Sequence, residues 1–383
     1  MIVAAGTVLA PDRDLTPGFV TIADGRFTAV ASGIPPADSA DPVLRFAEGA
    51  LIPGLIDLQI NGAAGVDCLR AEPPAYETLG RYLAGTGVTG YLPTIISAPL
   101  EEMRRAASSA ADASRAAGAL PEILGVHLEG PYINPLRRGA HRAQNLRHPS
   151  VPEIAETLRR AQGAVRIVTL APELEDAESM VRFLVAERVV VSVGHTDAGY
   201  DEVRDAARWG VRFVTHVFNA MRGLHHREPG AVGAALLTRG LTVGVIADGV
   251  HVHPAVLRLI ARTAGTGRIA LVSDAVAAAG MGRGPFTLGT GAVEVRDGAP
   301  RLADGTLAGS ILRLDLAVRN FAAYAEVSFR EAVQAATLSP ARLLGLDRKG
   351  RIAVGADADL VVLDREGRVD LTVVRGSIAY RRS

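Results

Sequence analysis

Several features are scarce in this 383-residue chain, and each scarcity excludes something. There is one cysteine, Cys68, so no intrachain disulfide can form and a reducing compartment is expected. In GVDCLR the thiol has no adjacent histidine or basic partner, and it reads as a small packed residue. Neither sign of charge is in excess: Lys and Arg number 41, Asp and Glu number 41, so no global field draws nucleic acid or an anionic membrane. Any anion must therefore be recognised locally. No apolar run reaches the roughly 18 residues a membrane helix needs without meeting a charge. MIVAAGTVLAPDRDL lacks the charged start of a signal peptide and leads into strand-like sequence. A soluble, cytoplasmic protein with neither nucleic-acid nor membrane partner is the expectation. Solenoid-period repeats and low-complexity linkers are also missing.

With 48% hydrophobic and 21% charged residues, the chain can bury a large core, and one large domain with a smaller companion is expected. Residues 1 to 50 read as short strands, with Asp24-Gly25 between alternating runs as a hairpin signal. From residue 51 short apolar runs alternate with Ala-, Leu- and Arg-rich helical stretches, the mark of βα units. Eight such runs occur, at 51–60, 88–96, 123–130, 165–172, 189–195, 213–218, 241–249 and 269–275. EEMRRAASSAADASRAAG and VPEIAETLRRAQ read as helices between them, and SFREAVQAATLSPARLLGL as two helices broken at Ser339-Pro340. After residue 346 the strand pattern returns. The predicted class is α/β: a (β/α)8 TIM-type barrel over 51–345, flanked by a small β-sandwich domain built from 1–50 plus 346–383, since neither end alone has the strands to hide a core.

In such a barrel, function collects at the carboxyl ends of the strands. Those ends carry Gln59 and Asn61, Thr94, His127 and Glu129, Glu173, His195, His216 and Asn219, Asp248 and His251, and Asp274. A single histidine there would read as a satisfied core residue. His195 and His216 at consecutive strand ends need a joint explanation, and Glu129 supplies it. One carboxylate and two imidazoles suit Zn²⁺ or another first-row dication with an open position for water. His127, two residues before Glu129, points to the same side of its strand and is either support for the site or interior packing. Asp274 in LVSDA is the candidate proton shuttle, with a fourth metal ligand as the rival assignment. Arg227 and His251, with backbone groups around Asn219 and Ala220, could grip a phosphate. His225, His226 and His253 read as loop histidines.

These segments together resemble the N-acetylglucosamine-6-phosphate deacetylases of the amidohydrolase superfamily. The likeness runs through PGLIDLQINGAAG, GVTGYLPTII, GVHLEGPYIN with GAH, VTLAPE, SVGHTDA, THVFNAM, REPG, ADGVHVH, LVSDA, LAGS and ATLSPAR, in that order. It implies hydrolysis of a linear amide, the N-acetyl group of N-acetylglucosamine 6-phosphate, to glucosamine 6-phosphate and acetate; N-acetylgalactosamine 6-phosphate is the alternative substrate. It also implies that Glu129, His195 and His216 bind the metal and that Asp274 moves the proton. Substrate contacts implied by the likeness fall on Ala140 and His141, on Asn219, Ala220 and Arg227, on Asp248, Gly249, Val250 and His251, and on Leu307, Ala308 and Gly309. A homodimer with phosphate contacts near the subunit boundary is implied as well.

Many amidohydrolases hold two metals with His-x-His at the end of strand one and a carboxylated lysine at strand four. Here the first motif is Gln59-Ile60-Asn61, and VRIVTLAPE contains no lysine. Amides are poor ligands for a tightly held transition metal, so one divalent ion per subunit is expected, with Zn²⁺ favoured and Fe²⁺, Mn²⁺ or Co²⁺ compatible. His141 either binds the sugar or polarises the acetamide carbonyl.

Overall fold

The computed structural model describes residues 1–383 except 37–40, 116–117, 283 and 290. Eight parallel strands pair in chain order: Leu55–Ile60, Val88–Ile96, Val126–Glu129, Val165–Leu170, Val190–Val193, Phe213–Val214, Thr242–Val245 and Ile269–Leu271. They are short and rich in Val, Ile and Leu. Helices cover them outside and neighbours cover them inside, so they read as unbroken apolar runs without alternation. The eighth strand returns to the first. Asp274 N–H donates to the Gln59 carbonyl at 2.9 Å, Asn61 N–H to the Ala275 carbonyl at 2.8 Å, and Ile60 bridges Ala275 in parallel. A buried carboxylate reinforces the seam, since Asp57 Oδ1 accepts from the backbone N–H of both Gln59 and Ser273 at 3.2 Å.

The outer helices bury one stripe each. In Leu100–Ser114 the buried positions include Met103, Ala106, Ala107, Ala110 and Ala111, the i, i+3, i+4, i+7, i+8 spacing of an apolar face. Val151–Arg160 forms where VPEIAETLRR predicts it. The late helical segment divides one turn earlier than expected, into Phe329–Ala335 and Leu338–Leu343. Pro340 is tolerated because it falls in the first turn of the second helix, where a backbone N–H has no partner to lose.

Both ends of the chain join one eight-stranded sheet, ordered Ser377–Arg381, Val369–Val374, Leu360–Leu363, Val43–Pro53, Ile2–Leu9, Gly18–Ala23, Arg26–Ser32, with Asp14–Leu15 paired to Ile2–Leu9. The expected hairpin is present: Ala23 pairs Arg26, and Asp24 and Gly25 take φ of 49° and 72°, the left-handed pair that a two-residue turn requires. Val43–Pro53 couples the two cores. Leu51 packs among Val3, Val20, Phe27, Val362 and Val373, while Ile52 on the opposite face enters the barrel core. The chain then passes Gly54, where a Cβ would lie 2.1 Å from Thr89 Oγ1, directly into the first barrel strand.

One further element interrupts the barrel pattern. Between the eighth strand and the helix Leu314–Ala325 stands a three-stranded antiparallel insert, Pro285–Leu288, Gly291–Arg296 and Ala299–Arg301.

Lys349, the only lysine of the chain, is buried where the C-terminal segment meets the barrel. Its ammonium lies 2.7 Å from Asp359, 3.0 Å from Glu122 and 3.5 Å from Asp357. Burial opposes the charge, yet the surrounding carboxylates outweigh it and hold the pKa above its ordinary value. Replacing the ammonium would leave Asp359 buried without a cation. Lys349→Ala is expected to lower unfolding free energy by about 3–5 kcal/mol, the cost of breaking a buried pair from one side; urea unfolding followed by circular dichroism measures it.

Candidate active site

Of the residues expected at the strand ends, Asn61, Glu129, His195, His216, Asn219, His251 and Asp274 line one cavity of about 350 Å³ at the carboxyl face of the barrel, and Gln59, Thr94, His127, Glu173 and Asp248 stand outside its lining. Glu129 is the last residue of the third strand, and its register neighbours are Ile96 and Thr169. His195, His216 and Asp274 follow the fifth, sixth and eighth strands within a few residues. All three take left-handed backbone angles, with φ of 50°, 27° and 47°. Each such non-glycine residue costs on the order of 1–3 kcal/mol and persists only where its surroundings enforce it. The turn at each strand end thereby aims the side chain back over the barrel mouth.

Glu129 Oε1 lies 3.1 Å from His195 Nε2 and 2.9 Å from His216 Nε2, and the two nitrogens are 3.2 Å apart. Matching donors to acceptors shows what this triangle needs. His195 Nδ1 stands 3.0 Å from the Arg137 carbonyl, which only accepts, so Nδ1 carries the proton and Nε2 is bare. A bare nitrogen facing a carboxylate oxygen at 3.1 Å is two acceptors in contact, which a cation between them relieves. His216 Nδ1 is buried with no partner. Atoms bound about 2.0–2.1 Å from a tetrahedral zinc stand about 3.3–3.4 Å apart, close to the observed spacing. The donor set therefore fits a divalent cation. Burial would raise the Glu129 pKa; with no cation between them, imidazoles that carry a proton on Nε2 hold it well below the usual carboxylate range, and a bound cation takes the place of those protons.

Glu129, His141 and His195 form an overlapping cluster whose ligand atoms all lie within 4.8 Å of one another. The tautomer of His141 argues against ligation by it. Its Nδ1 accepts from the Ser97 N–H at 3.3 Å and lies 2.8 Å from Ser97 Oγ, so the proton sits on Nε2. Burial, with His195 beside it, pushes the His141 pKa down to about 3, so the ring is a neutral donor.

Gln59 and Asn61 use their amide groups as donors. Gln59 Nε2 reaches Glu129 Oε1 at 3.0 Å and Asp274 Oδ1 at 3.1 Å, and Asn61 Nδ2 reaches the same Asp274 oxygen at 2.7 Å. Both donors approach Oδ1, which leaves Oδ2 free of them. Burial, together with the Glu129 charge, lifts Asp274 to about 7.

Of the expected substrate contacts, Ala140, His141, Asn219, Ala220, His251, Leu307 and Gly309 line the cavity. Asp248 stands behind His251: its Oδ2 accepts from His251 Nδ1 at 2.6 Å and its Oδ1 from the N–H groups of Val250 and His251 at 2.8 Å. Ala308 is buried in the apolar cluster under the insert, and Val250 is exposed. Arg227 stands outside the cavity, exposed, with its guanidinium 2.9 Å from His226 Nε2. The cavity also gains residues that strand-end reasoning does not reach, among them Ile96, Leu136, Arg137, Leu288, Arg301 and Thr306. Only Ile96 lies inside an expected strand; the others sit on loops and the insert, which carry no barrel-strand signal.

Glu173 acquires a clear place. Its Oε1 accepts from Asn134 Nδ2 at 2.9 Å and Asp197 N at 2.6 Å, and its Oε2 from Thr196 Oγ1 at 2.5 Å. It clamps the turn after His195 to the loop after the third strand. Below the site, hydroxyls form a chain. Ser192 and Thr215 lie 2.6 Å apart, Thr215 and Thr169 2.7 Å, and Thr169 lies 2.7 Å from His127 Nε2, while His127 Nδ1 donates to the Leu58 carbonyl at 3.1 Å. His127 is therefore neutral interior structure that supports the floor of the site; burial pushes its pKa down to about 4. Gly194 is required above this layer, because a Cβ there would lie 2.7 Å from Thr169 Cγ2.

Fold and site together define a class. The chain belongs to the amidohydrolase family, whose family model matches residues 50–379. Its relatives narrow this further. It is 36% identical over 369 residues to the N-acetylglucosamine-6-phosphate deacetylase of Bacillus subtilis, covering 95% of this chain and 93% of that protein. It is 38% identical over 359 residues to the N-acetylgalactosamine-6-phosphate deacetylase of Escherichia coli O157:H7, covering 93% and 95%. Among solved structures, a mutant of N-acetyl-D-glucosamine-6-phosphate deacetylase from Mycobacterium smegmatis, in complex with N-acetyl-D-glucosamine 6-phosphate, superposes with a TM-score of 0.93 at 37% identity, covering 99% of both chains. The family expected from the motifs and the predicted barrel are both borne out. Among the described residues no helix is long and apolar enough to cross a membrane.

The hydroxyl chain yields a direct test. Thr169→Val removes the donor to His127 Nε2 and is expected to destabilise the protein by about 1–3 kcal/mol, the cost of one unsatisfied buried polar atom. Thr169→Ser keeps the hydroxyl and should retain most of the stability in the same urea titration.

Proposed function

We propose that this protein hydrolyses the N-acetyl group of N-acetylglucosamine 6-phosphate, releasing glucosamine 6-phosphate and acetate, in amino-sugar breakdown or recycling. The observation that carries the reading is the triangle of Glu129 Oε1, His195 Nε2 and His216 Nε2 within one cavity beside Asp274. Glu129, His195 and His216 would hold one divalent ion per subunit, with Zn²⁺ favoured by two imidazoles and a carboxylate. Such an ion supplies Lewis-acid chemistry, acidifying water and polarising a carbonyl oxygen. The amide nitrogens of Gln59 and Asn61 donate to the carboxylates, and their oxygens are poor ligands for a tightly held transition metal, which supports a single ion.

Asp274 moves the proton. With Oδ1 held by Gln59 and Asn61, Oδ2 takes a proton from the attacking water and delivers it to the departing amine nitrogen. Burial and the Glu129 charge push Asp274 toward its protonated form, which suits a carboxylate that must both take and return a proton. His141, neutral with its proton on Nε2, donates to the acetamide oxygen. The backbone around Asn219 and Ala220 and the Asp248-backed His251 hold the distal end of the substrate, so that phosphate binding positions the amide. Arg227 and Val250 are exposed beyond the cavity, which is consistent with completion of the phosphate site at the boundary of a homodimer.

A second substrate reading is the galactosamine epimer, favoured by the 38% identity to a relative that bears that name. The metal, Asp274 and His141 would act identically on it. The deciding experiment is acetate release from each sugar phosphate after chelation and add-back of Zn²⁺, Fe²⁺, Mn²⁺ or Co²⁺. Activity that vanishes on chelation, returns with one equivalent of metal and favours the gluco epimer in kcat/KM is the expected outcome; equal or reversed preference overturns the gluco assignment. Asp274→Asn should bind one metal ion, as the parent does, while kcat falls by at least about a hundredfold, in the range lost with a general acid-base. Near-normal turnover would remove Asp274 from its role.

A further inference from the structure

The cavity has one apolar wall that the reading above leaves without a task. Ile96, Ala140 and Leu288 line the cavity and pack in a small separate hydrophobic cluster with Val276 and Ala308. Ile96 is 6% exposed and Leu288 7%. The wall sits at the reacting end. Ile96 pairs in register with Glu129, and the next residue, Ser97, holds the His141 ring through its backbone N–H. Val276 follows Asp274 by two residues. An apolar surface beside the reacting carbonyl meets the one apolar part of the substrate, the acyl chain.

Leu288 reaches this wall from outside the barrel, as the last residue of the first strand of the three-stranded insert. The insert is anchored at that point. Gly289 N–H donates to Asp67 Oδ2 at 2.9 Å, and Arg70 Nε donates to the Gly289 carbonyl at 3.2 Å, both on the loop after the first barrel strand. Contact with Ile96 is tight: a Cβ on Gly289 would lie 2.9 Å from Ile96 Cδ1. The wall is therefore fixed from two sides and cannot recede to admit a longer chain without moving anchored backbone.

We propose that Ile96 and Leu288 form the acyl-binding wall and that Leu288, delivered by the insert, sets the upper limit on acyl length, so that the enzyme accepts acetyl and rejects longer N-acyl groups. This rests on the deacetylase reading above. Each substrate consumes one water and yields the carboxylic acid and the free amine, so amine release compares them directly. The experiment measures kcat/KM of the metal-loaded protein for N-acetyl-, N-propionyl- and N-butanoyl-glucosamine 6-phosphate, in the parent and in Leu288→Ala, Leu288→Phe and Ile96→Val. The parent should fall along the series. Leu288→Ala should raise the propionyl-to-acetyl ratio at least about tenfold, the low end of what one methylene is worth in an apolar pocket. Ile96→Val should raise it less, and Leu288→Phe should lower it. Ile96→Val removes only one methylene and keeps the fold, so its ratio decides the matter if Leu288→Ala does not fold. Ratios unchanged in the folded variants would overturn the acyl wall while leaving deacetylation intact. Failure of the parent to release amine from the acetyl substrate would instead overturn the deacetylase reading.

Discussion

The structure is arranged around one buried carboxylate. Glu129 ends a barrel strand at a point where water is largely excluded, and an ionised carboxylate there is costly unless positive charge or donors surround it. The chain supplies one donor, the Gln59 amide, and brings up two imidazole nitrogens, of which the His195 one is bare in the neutral ring because its proton is spent on the Arg137 carbonyl. A cation between these two acceptors would relieve their contact. It would also explain why three separate strands must end at the same height: each contributes one atom to a triangle with sides of 2.9 to 3.2 Å.

Meeting that demand strains the backbone. His195, His216 and Asp274 leave their strands in left-handed conformations that ordinary residues avoid. The surroundings hold them there. Glu173 binds the turn after His195 to the loop after the third strand, and Asp197 pairs with both Arg137 and Arg222. The Arg137 carbonyl fixes the His195 tautomer. Thus the residues that hold the loops also decide which nitrogen faces the site. Beneath them the hydroxyl chain from Ser192 to His127 gives each of its polar groups a partner, so rigidity there does not rest on apolar packing alone.

The first and eighth strands give the site its second carboxylate. Gln59 and Asn61 close the barrel through their backbones and orient Asp274 through their side chains. Barrel closure and placement of the proposed proton carrier are therefore one structural event. The difference between Glu129, held low where the imidazoles carry protons toward it, and Asp274, lifted by burial and by Glu129, follows from position. Two carboxylates of similar chemistry are thereby made unlike, one suited to a cation and the other to a proton.

Much of this was legible in the sequence. Eight apolar runs announced the barrel, because buried parallel strands have no polar face. Glu129, His195, His216 and Asp274 could be singled out because strand ends can be located from where apolar runs stop. The Asp24-Gly25 turn was equally local. What the sequence left open depends on contacts between distant segments. His127 became a member of the floor only because Thr169 and Leu58 meet its two nitrogens. The His141 tautomer is set by Ser97, 44 residues away. Arg227, which local sequence brought forward, lies outside the cavity of its own chain, whereas Leu288 enters it from an insert with no barrel signature. Apolar periodicity, a property of neighbouring residues, determined the elements and their ends; the protonation states and the shape of the pocket were decided by the tertiary fold, because each depends on which remote atom stands within hydrogen-bond or van der Waals reach.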